Sequence, residues 1–231
     1  VYGRETKYVS WDFREIDLPR MERIFMGDIQ FGHVLCKVER VREYLNWVLS
    51  DPNRFMCLTG DAIDAWAAWS PGDPFENIGN AQSQVFKFVE LFAPVRHRIL
   101  GYVGGNHERR ARPGFGDLGL LISTLLQIPY SAGRQFIDIH YGKHAPFQIS
   151  LWHGVGGART KGGVAQLLDR YMQQGDSQFC CMAHVHQAMV LPAWRQVREK
   201  GKNRIVLKKC FGAIGSSFLE TWNPYGEVAG Y

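Results

Sequence analysis

Long apolar runs are missing from this chain: none approaches the ~20 residues a membrane-spanning helix needs, which argues against a bilayer partner. Paired cysteines are missing too. The five cysteines, Cys36, Cys57, Cys180, Cys181 and Cys210, are odd in number, and no two have CxxC spacing. This argues against a disulfide framework, and buried free thiols in a reducing, cytoplasmic compartment are expected. Cys180 and Cys181, adjacent on a strand, would point to opposite faces, which disfavours a thiolate zinc cluster. There is no internal repeat, low-complexity tract or linker, so one domain over residues 1–231 is expected. No charged-then-apolar leader is visible, although the chain starts at Val1, as it would if an upstream piece had been removed. The stop at Tyr231, in an aromatic-rich segment, suggests truncation. The glycines after His153 lack the spacing of a phosphate-cradling or dinucleotide loop and read as a mobile loop.

What is present is ordinary globular material: 231 residues, 45% hydrophobic and 21% charged. The net charge of +5 mildly favours an anionic partner. Residues 1–22 are polar and mixed, an arm or edge segment. Ile24–Met26 reads as a buried strand. Val34, Val38, Val41, Leu45 and Val48 form a helical stripe. Phe55–Leu58 is a second strand, and Val85, Phe88, Phe92 and Val95 form a second stripe. Ile99–Val103 is a third strand. This βαβαβ pattern implies a largely parallel sheet with ligands beyond its carboxyl edge. Residues 116–126 should form a helix stopped by Pro129, and 163–172 another. Strands are expected at 136–141, 147–152, 179–182, 189–197 and 204–211, with 198–209 a basic hairpin turning at Gly201.

Five polar clusters fall at the expected strand ends. They are Gly27-Asp28-Ile29-Gln30, Gly60-Asp61-Ala62-Ile63-Asp64, Gly105-Asn106-His107-Glu108, Trp152-His153-Gly154 and Ala183-His184-Val185-His186. Their carboxylate, amide and imidazole groups suit Mn²⁺, Fe, Zn²⁺ or Mg²⁺ better than a thiolate-preferring metal. His184 and His186, two apart on extended chain, can face the same way. Each cluster alone is weak, since Gly-Asp is usually a turn and Asn-His usually a surface loop. Their order along the chain is what matters.

In that order they resemble the calcineurin-like metallophosphoesterase family, whose pattern is D-x-H, G-D-x-x-D, G-N-H-[D/E], H-G and G-H-x-H. The resemblance runs from Asp28 to His186, with Ala183 for the usual glycine and Gln30 for the usual histidine. It implies an α/β fold, a four-layer α/β/β/α sandwich of two mixed sheets packed face to face with helices outside. It also implies two divalent metals, Mn²⁺ ahead of Mg²⁺, Fe, Zn²⁺ or Ni²⁺. Asp28, Gln30, Asp61 and His186 would hold the first; Asp61, Asn106, His153 and His184 would hold the second. Asp61 bridges them, and a hydroxide shared by both metals attacks phosphorus. His107 takes the part of acid or transition-state stabiliser, and Asp64 orients a ligand histidine. The activity implied is phosphoester hydrolysis, with a phosphodiester ahead of a monoester, and the basic balance and the loop arginines suggest DNA, RNA or a nucleotide as the substrate. A phosphomonoesterase, or a binding module with a weakened first site, are the alternatives.

Gln30 can ligate a hard cation through its carbonyl oxygen but is a poorer donor than imidazole to Zn²⁺. His33 either supplies a missing nitrogen or meets the substrate phosphate, or else simply faces solvent. Arg109, in the run Glu108-Arg109-Arg110-Ala111-Arg112, is either a substrate-phosphate contact or part of a solvated loop. Trp66 and Trp69 are either core or a stacking platform, core being the simpler choice.

Overall fold

The computed structural model describes residues 6–15, 20–70, 73–143, 145–198, 201 and 203–220. Two sheets and flanking helices make a mixed α/β structure. The smaller sheet has the order β2 (Glu22–Met26), β3 (Arg54–Leu58), β4 (Ile99–Val103) and β5 (Tyr130–Ser131). The larger has the order β1 (Lys7–Asp12), β6 (Arg134–His140), β7 (Phe147–Trp152), β8 (Phe179–Met182), β10 (Ile205–Ile214) and β9 (Met189–Arg198).

Two mixed sheets were expected, but every pairing in the four-stranded sheet is parallel. The cause is its connections: a helical crossover separates each pair of successive strands, which reverses the chain between them. These crossovers are α1 (Val38–Leu49), α2 (Ala81–Phe92) and the series α3 (Asn106–Arg110), α4 (Arg112–Phe115) and α5 (Leu118–Leu126). The six-stranded sheet is mixed, with β6–β7 and β9–β10 antiparallel and the other pairs parallel. Part of the expected arm is strand β1, at the edge of the larger sheet, and the Trp11 indole N–H donates to the Leu100 carbonyl of β4 at 2.9 Å.

The apolar stripes dictate which helix faces are buried. Val41, Leu45 and Val48 of α1, Val85, Phe88 and Phe92 of α2, and Ile122 and Leu126 of α5 share one cluster with Met26, Met56 and Tyr102. Residues from both sheets share a second, in which Phe55, Cys57, Leu100 and Val103 meet Ile137, Ile139, Ile149 and Leu151. A third joins Val164, Leu168 and Met172 of α6 (Lys161–Met172) to Cys180, Met182, Cys210 and Ile214. Val34 does not extend the α1 stripe. Its N–H is drawn off to the Glu76 carbonyl at 2.8 Å, and the helix starts only at Val38. Helix α5 ends before Pro129, on Gln127 in the left-handed conformation (φ 59°). Asn80 and Asp117 cap α2 and α5 by accepting from Ser83 N and Leu120 N.

All five cysteines are free, and burial raises the Cys36 and Cys57 thiols to about 12. Among the described residues no helix is long and apolar enough to cross a membrane. Phe88 is fully buried, stacked on Phe92 at 4.2 Å and edge-on to Phe31 at 6.2 Å. Phe88→Ala should therefore destabilise the fold by about 3–5 kcal/mol, read from denaturant unfolding.

Candidate metal centre

The five polar clusters follow the carboxyl ends of β2, β3, β4, β7 and β8, so both sheets contribute. Backbone hydrogen bonds hold these loops together. Asp28 N–H donates to the Gly60 carbonyl (3.1 Å), Gln30 N–H to Asp61 (2.8 Å) and Ala183 N–H to His153 (3.1 Å). The turns out of the strands are tight. Among the described residues seven non-glycine positions have positive φ, and five of these are Asp28, Gln30, Asp61, His184 and His186. Left-handed backbone at a non-glycine residue costs roughly 1–2 kcal/mol. Its concentration here, at Asp28 (50°), Gln30 (48°), Asp61 (50°), His184 (76°) and His186 (56°), marks the loops as held for a purpose. Two glycines allow the close approach. A Cβ on Gly105 would lie 2.0 Å from Asp61 Oδ1, and one on Gly60 (φ 93°) would lie 2.5 Å from His153 Nδ1.

The donor atoms converge without their natural partners. His153 Nδ1 lies 2.8 Å from the Thr59 carbonyl, so it must carry the proton and donate. In neutral imidazole that leaves Nε2 as a bare lone pair. Nε2 nevertheless faces two other lone-pair atoms, Asn106 Oδ1 at 2.9 Å and Asp61 Oδ2 at 3.2 Å. His184 Nδ1 approaches the same Asn106 oxygen at 2.8 Å. Three acceptors turned toward one another require positive charge between them, either a proton or a cation. The ligand atoms of Asp61, His153 and His184 all lie within 4.8 Å of one another. In the metal-free protein a proton answers the need. Burial opposes the charged imidazole, but the Asp61 carboxylate overcomes it and raises His153 to about 9. Burial raises the Asp61 carboxyl, and His153 and His107 more than reverse this, so its pKa is lowered.

The second limb is similar. Asp28 is fully buried; its Oδ2 accepts from His184 N–H at 2.7 Å, while Oδ1 accepts no hydrogen bond. His186 Nε2 stands 3.5 Å from that Oδ1 and 3.5 Å from the Gln30 side-chain nitrogen. A buried carboxylate oxygen without a hydrogen bond is costly and is suited to a cation. Oxygen and imidazole nitrogen at Asp61, Asn106, His153 and His184 therefore fit a divalent metal, and Asp28 Oδ1 with His186 Nε2 offers a second pair of the same kind, at which the Gln30 amide would have to turn its oxygen inward to ligate.

Around this centre lies a layer of orienting contacts. His107 N–H donates to Asp61 Oδ1 (2.9 Å), and its ring Nε2 lies 3.7 Å from Asp61 Oδ2. Its Nδ1 is 2.9 Å from Asp64 Oδ1. Burial lowers the His107 pKa, but Asp61 and Asp64 outweigh it and the net shift is upward. Asp64 was expected to orient a ligand histidine; its partner is instead His107, because the α3 turn brings that ring back over the β3 loop. His33 is not drawn into the cluster. Its Nδ1 accepts from Leu35 N–H (3.1 Å) and its Nε2 faces Glu76 at 3.6 Å. Arg109 is exposed, and the engaged arginine is Arg110, which donates to the Asp64 carbonyl (2.8 Å) and Oδ1 (3.2 Å). On the short α3 helix adjacent positions point in different directions, so only one of the arginines can face inward. Trp69 is half exposed and donates from Nε1 to the Arg110 carbonyl at 2.7 Å.

One residue was given no role from sequence. Glu108 is buried and joins the β3 and β4 loops: Oε1 accepts from Ala62 N–H (2.6 Å) and Tyr102 O–H (3.0 Å), and Oε2 accepts from Gly105 N–H (2.9 Å). Burial, then Asp61, raises its pKa. The acid that follows Asn-His was the available signal. Glu108→Ala leaves two buried N–H groups unpaired and should cost about 1–3 kcal/mol per group. Thermal unfolding measures that loss, and metal titration should show weaker binding as the two loops separate.

A scan against models of known protein families gives no match, and no curated protein matches the chain.

Proposed function

We propose that this chain is a metal-dependent phosphoesterase of the calcineurin-like kind, hydrolysing phosphodiester bonds. The observation that carries this reading is the convergence of His153 Nε2 and Asp61 Oδ2 with Asn106 Oδ1, alongside the unbonded Asp28 Oδ1. Asp61, Asn106, His153 and His184 would hold one ion; Asp28, Gln30, His186 and Asp61 would hold the other, with Mn²⁺ preferred over Mg²⁺, Fe, Zn²⁺ or Ni²⁺. Such ions, when bound, acidify water and polarise a phosphoryl oxygen. The chain supplies the rest. The positive-φ loops hold the donors in place in advance of substrate. The Asp64 carboxylate fixes the His107 ring, which is then placed to donate a proton to the leaving oxygen. The α/β/β/α layering that goes with this reading is supported by the three apolar clusters, one of which draws residues from both sheets. The net charge of +5 favours DNA, RNA or a nucleotide as the diester.

The reading is tested with bis-p-nitrophenyl phosphate and p-nitrophenyl phosphate side by side. Turnover should be faster on the diester, stop in EDTA and return with Mn²⁺. Faster turnover of the monoester would make the protein a phosphomonoesterase. No turnover with any divalent metal would leave a binding module. Gln30→His probes the limb of Asp28 and His186. Histidine is tolerated at Gln30's φ of 48° and offers an imidazole nitrogen where glutamine offers only its amide oxygen. The variant should bind the metal of that limb more tightly, seen by calorimetric titration, with turnover retained.

A further inference from the structure

The antiparallel ribbon β9–β10 ends the six-stranded sheet, with β9 as its open edge. One face of its base, bearing Leu191 and Ala193, packs on the α6 cluster. The opposite face is exposed and apolar: Trp194 is 63% accessible, Leu207 63% and Ile205 70%. Register puts Trp194 opposite Lys209, and Lys209 Nζ lies 5.8 Å from the Trp194 ring and 5.0 Å from the Phe211 ring. The sequence here is strongly basic, since residues 195–209 carry seven Lys or Arg against one acid, Glu199. Some of this charge is spent internally, as Arg195 donates to backbone carbonyls of Gly175 and Ser177. On the Trp194 face Lys209 and Arg198 are exposed, whereas Lys208, opposite Arg195, lies on the other face.

An open edge with an apolar face ordinarily invites a second copy of the chain. Here that pairing would bring two strongly cationic ribbons together. Charge complementarity favours a polyanion instead, and an exposed ring beside an ammonium group suits an unstacked base with its phosphate. We infer that the β9–β10 ribbon is a docking surface for single-stranded nucleic acid, with Trp194 as the stacking platform and Lys209 and Arg198, on the same face, as phosphate contacts. Strand β9 starts three residues after His186, and Trp194 stands about 17 Å along it from Met189. A strand held on the ribbon would thus lead toward the candidate metal centre. That last step rests on the phosphodiesterase reading; the binding itself does not.

The test is fluorescence anisotropy of a labelled 20-nucleotide thymidine oligomer, in EDTA and low salt, so that no cleavage intervenes. Binding should weaken as salt rises. Trp194→Ala should weaken it about tenfold, and Arg198→Glu with Lys209→Glu at least as much, with a shallower salt dependence. Both variants should retain the wild-type rate on bis-p-nitrophenyl phosphate. The inference is overturned if the wild type does not bind the oligomer, or if the variants bind it as well as wild type. It is equally overturned if phosphatidylserine vesicles bind the ribbon and the oligomer does not, or if the only effect of Trp194→Ala is to dissociate a dimer in sedimentation. Oligomer binding without diester turnover would sink the phosphoesterase reading alone, and turnover without oligomer binding would sink the ribbon alone.

Discussion

Asp61→Asn should lower diester hydrolysis by on the order of 10³-fold or more, because it removes the carboxylate assigned to both metals and with it several kcal/mol of transition-state stabilisation. The substitution is nearly isosteric. Asparagine can still accept the His107 N–H that reaches Oδ1 at 2.9 Å, so the loop should survive. A folded variant with lost metal binding and lost turnover is therefore the expected result. A second readout separates charge from shape. In metal-free wild type, His153 is raised from 6.5 to about 9 by Asp61 after burial has opposed it. A raised folded-state pKa contributes stability fully present below the unfolded value, near 6.5, and lost as pH rises through the folded one. The wild type in EDTA should thus lose stability between about pH 6.5 and 9, and Asp61→Asn should lose much less over that window. Denaturant unfolding at a series of pH values measures both.

His107→Gln should reduce kcat about 10²–10⁴-fold while leaving metal content unchanged, as expected for a proton donor that holds no metal. The leaving group sharpens the test. p-Nitrophenolate departs without a proton, whereas an alkoxide needs one. The loss should accordingly be larger on an alkyl diester than on bis-p-nitrophenyl phosphate. Equal losses on both would make His107 an electrostatic stabiliser rather than an acid. Asp64→Asn should produce a smaller defect in the same direction, since Asp64 acts through the ring it holds at 2.9 Å.

Much of this centre was legible before any coordinates, and the reason is periodicity. Strands such as Ile99–Val103 are continuous apolar runs, and each stops at a glycine followed by a polar group. Parallel topology then gathers those ends at one edge, so Asp28, Asp61 and Asn106 could be assigned to a common site; His153 and His184, which follow strands of the other sheet, were joined to them only by the order of the motifs. What sequence did not reveal were choices made by competing local contacts. Val34 fits the helical stripe, but its N–H pairs with Glu76. Asp64 could have served several histidines, and only the path of α3 selects His107. Arg109 and Arg110 are indistinguishable in composition, and helix phase decides which one faces inward. Glu108 reads as one charge in a charged run, while its function depends on three donors from Ala62, Tyr102 and Gly105. His33 looked like a substitute for the absent histidine at Gln30. A tight turn, in which His33 N–H donates to the Gln30 carbonyl at 3.0 Å, directs its ring to Leu35 and Glu76 instead.

The central claim is that two limbs of one centre each hold a metal, and anomalous diffraction at the manganese edge from Mn²⁺-soaked crystals tests it most directly. Two peaks are expected, one bounded by Asp61, Asn106, His153 and His184 and the other by Asp28, Asp61, His186 and the Gln30 oxygen. A single peak at the first position would contradict the two-metal centre, and no peak at either would contradict the metal-dependent chemistry altogether.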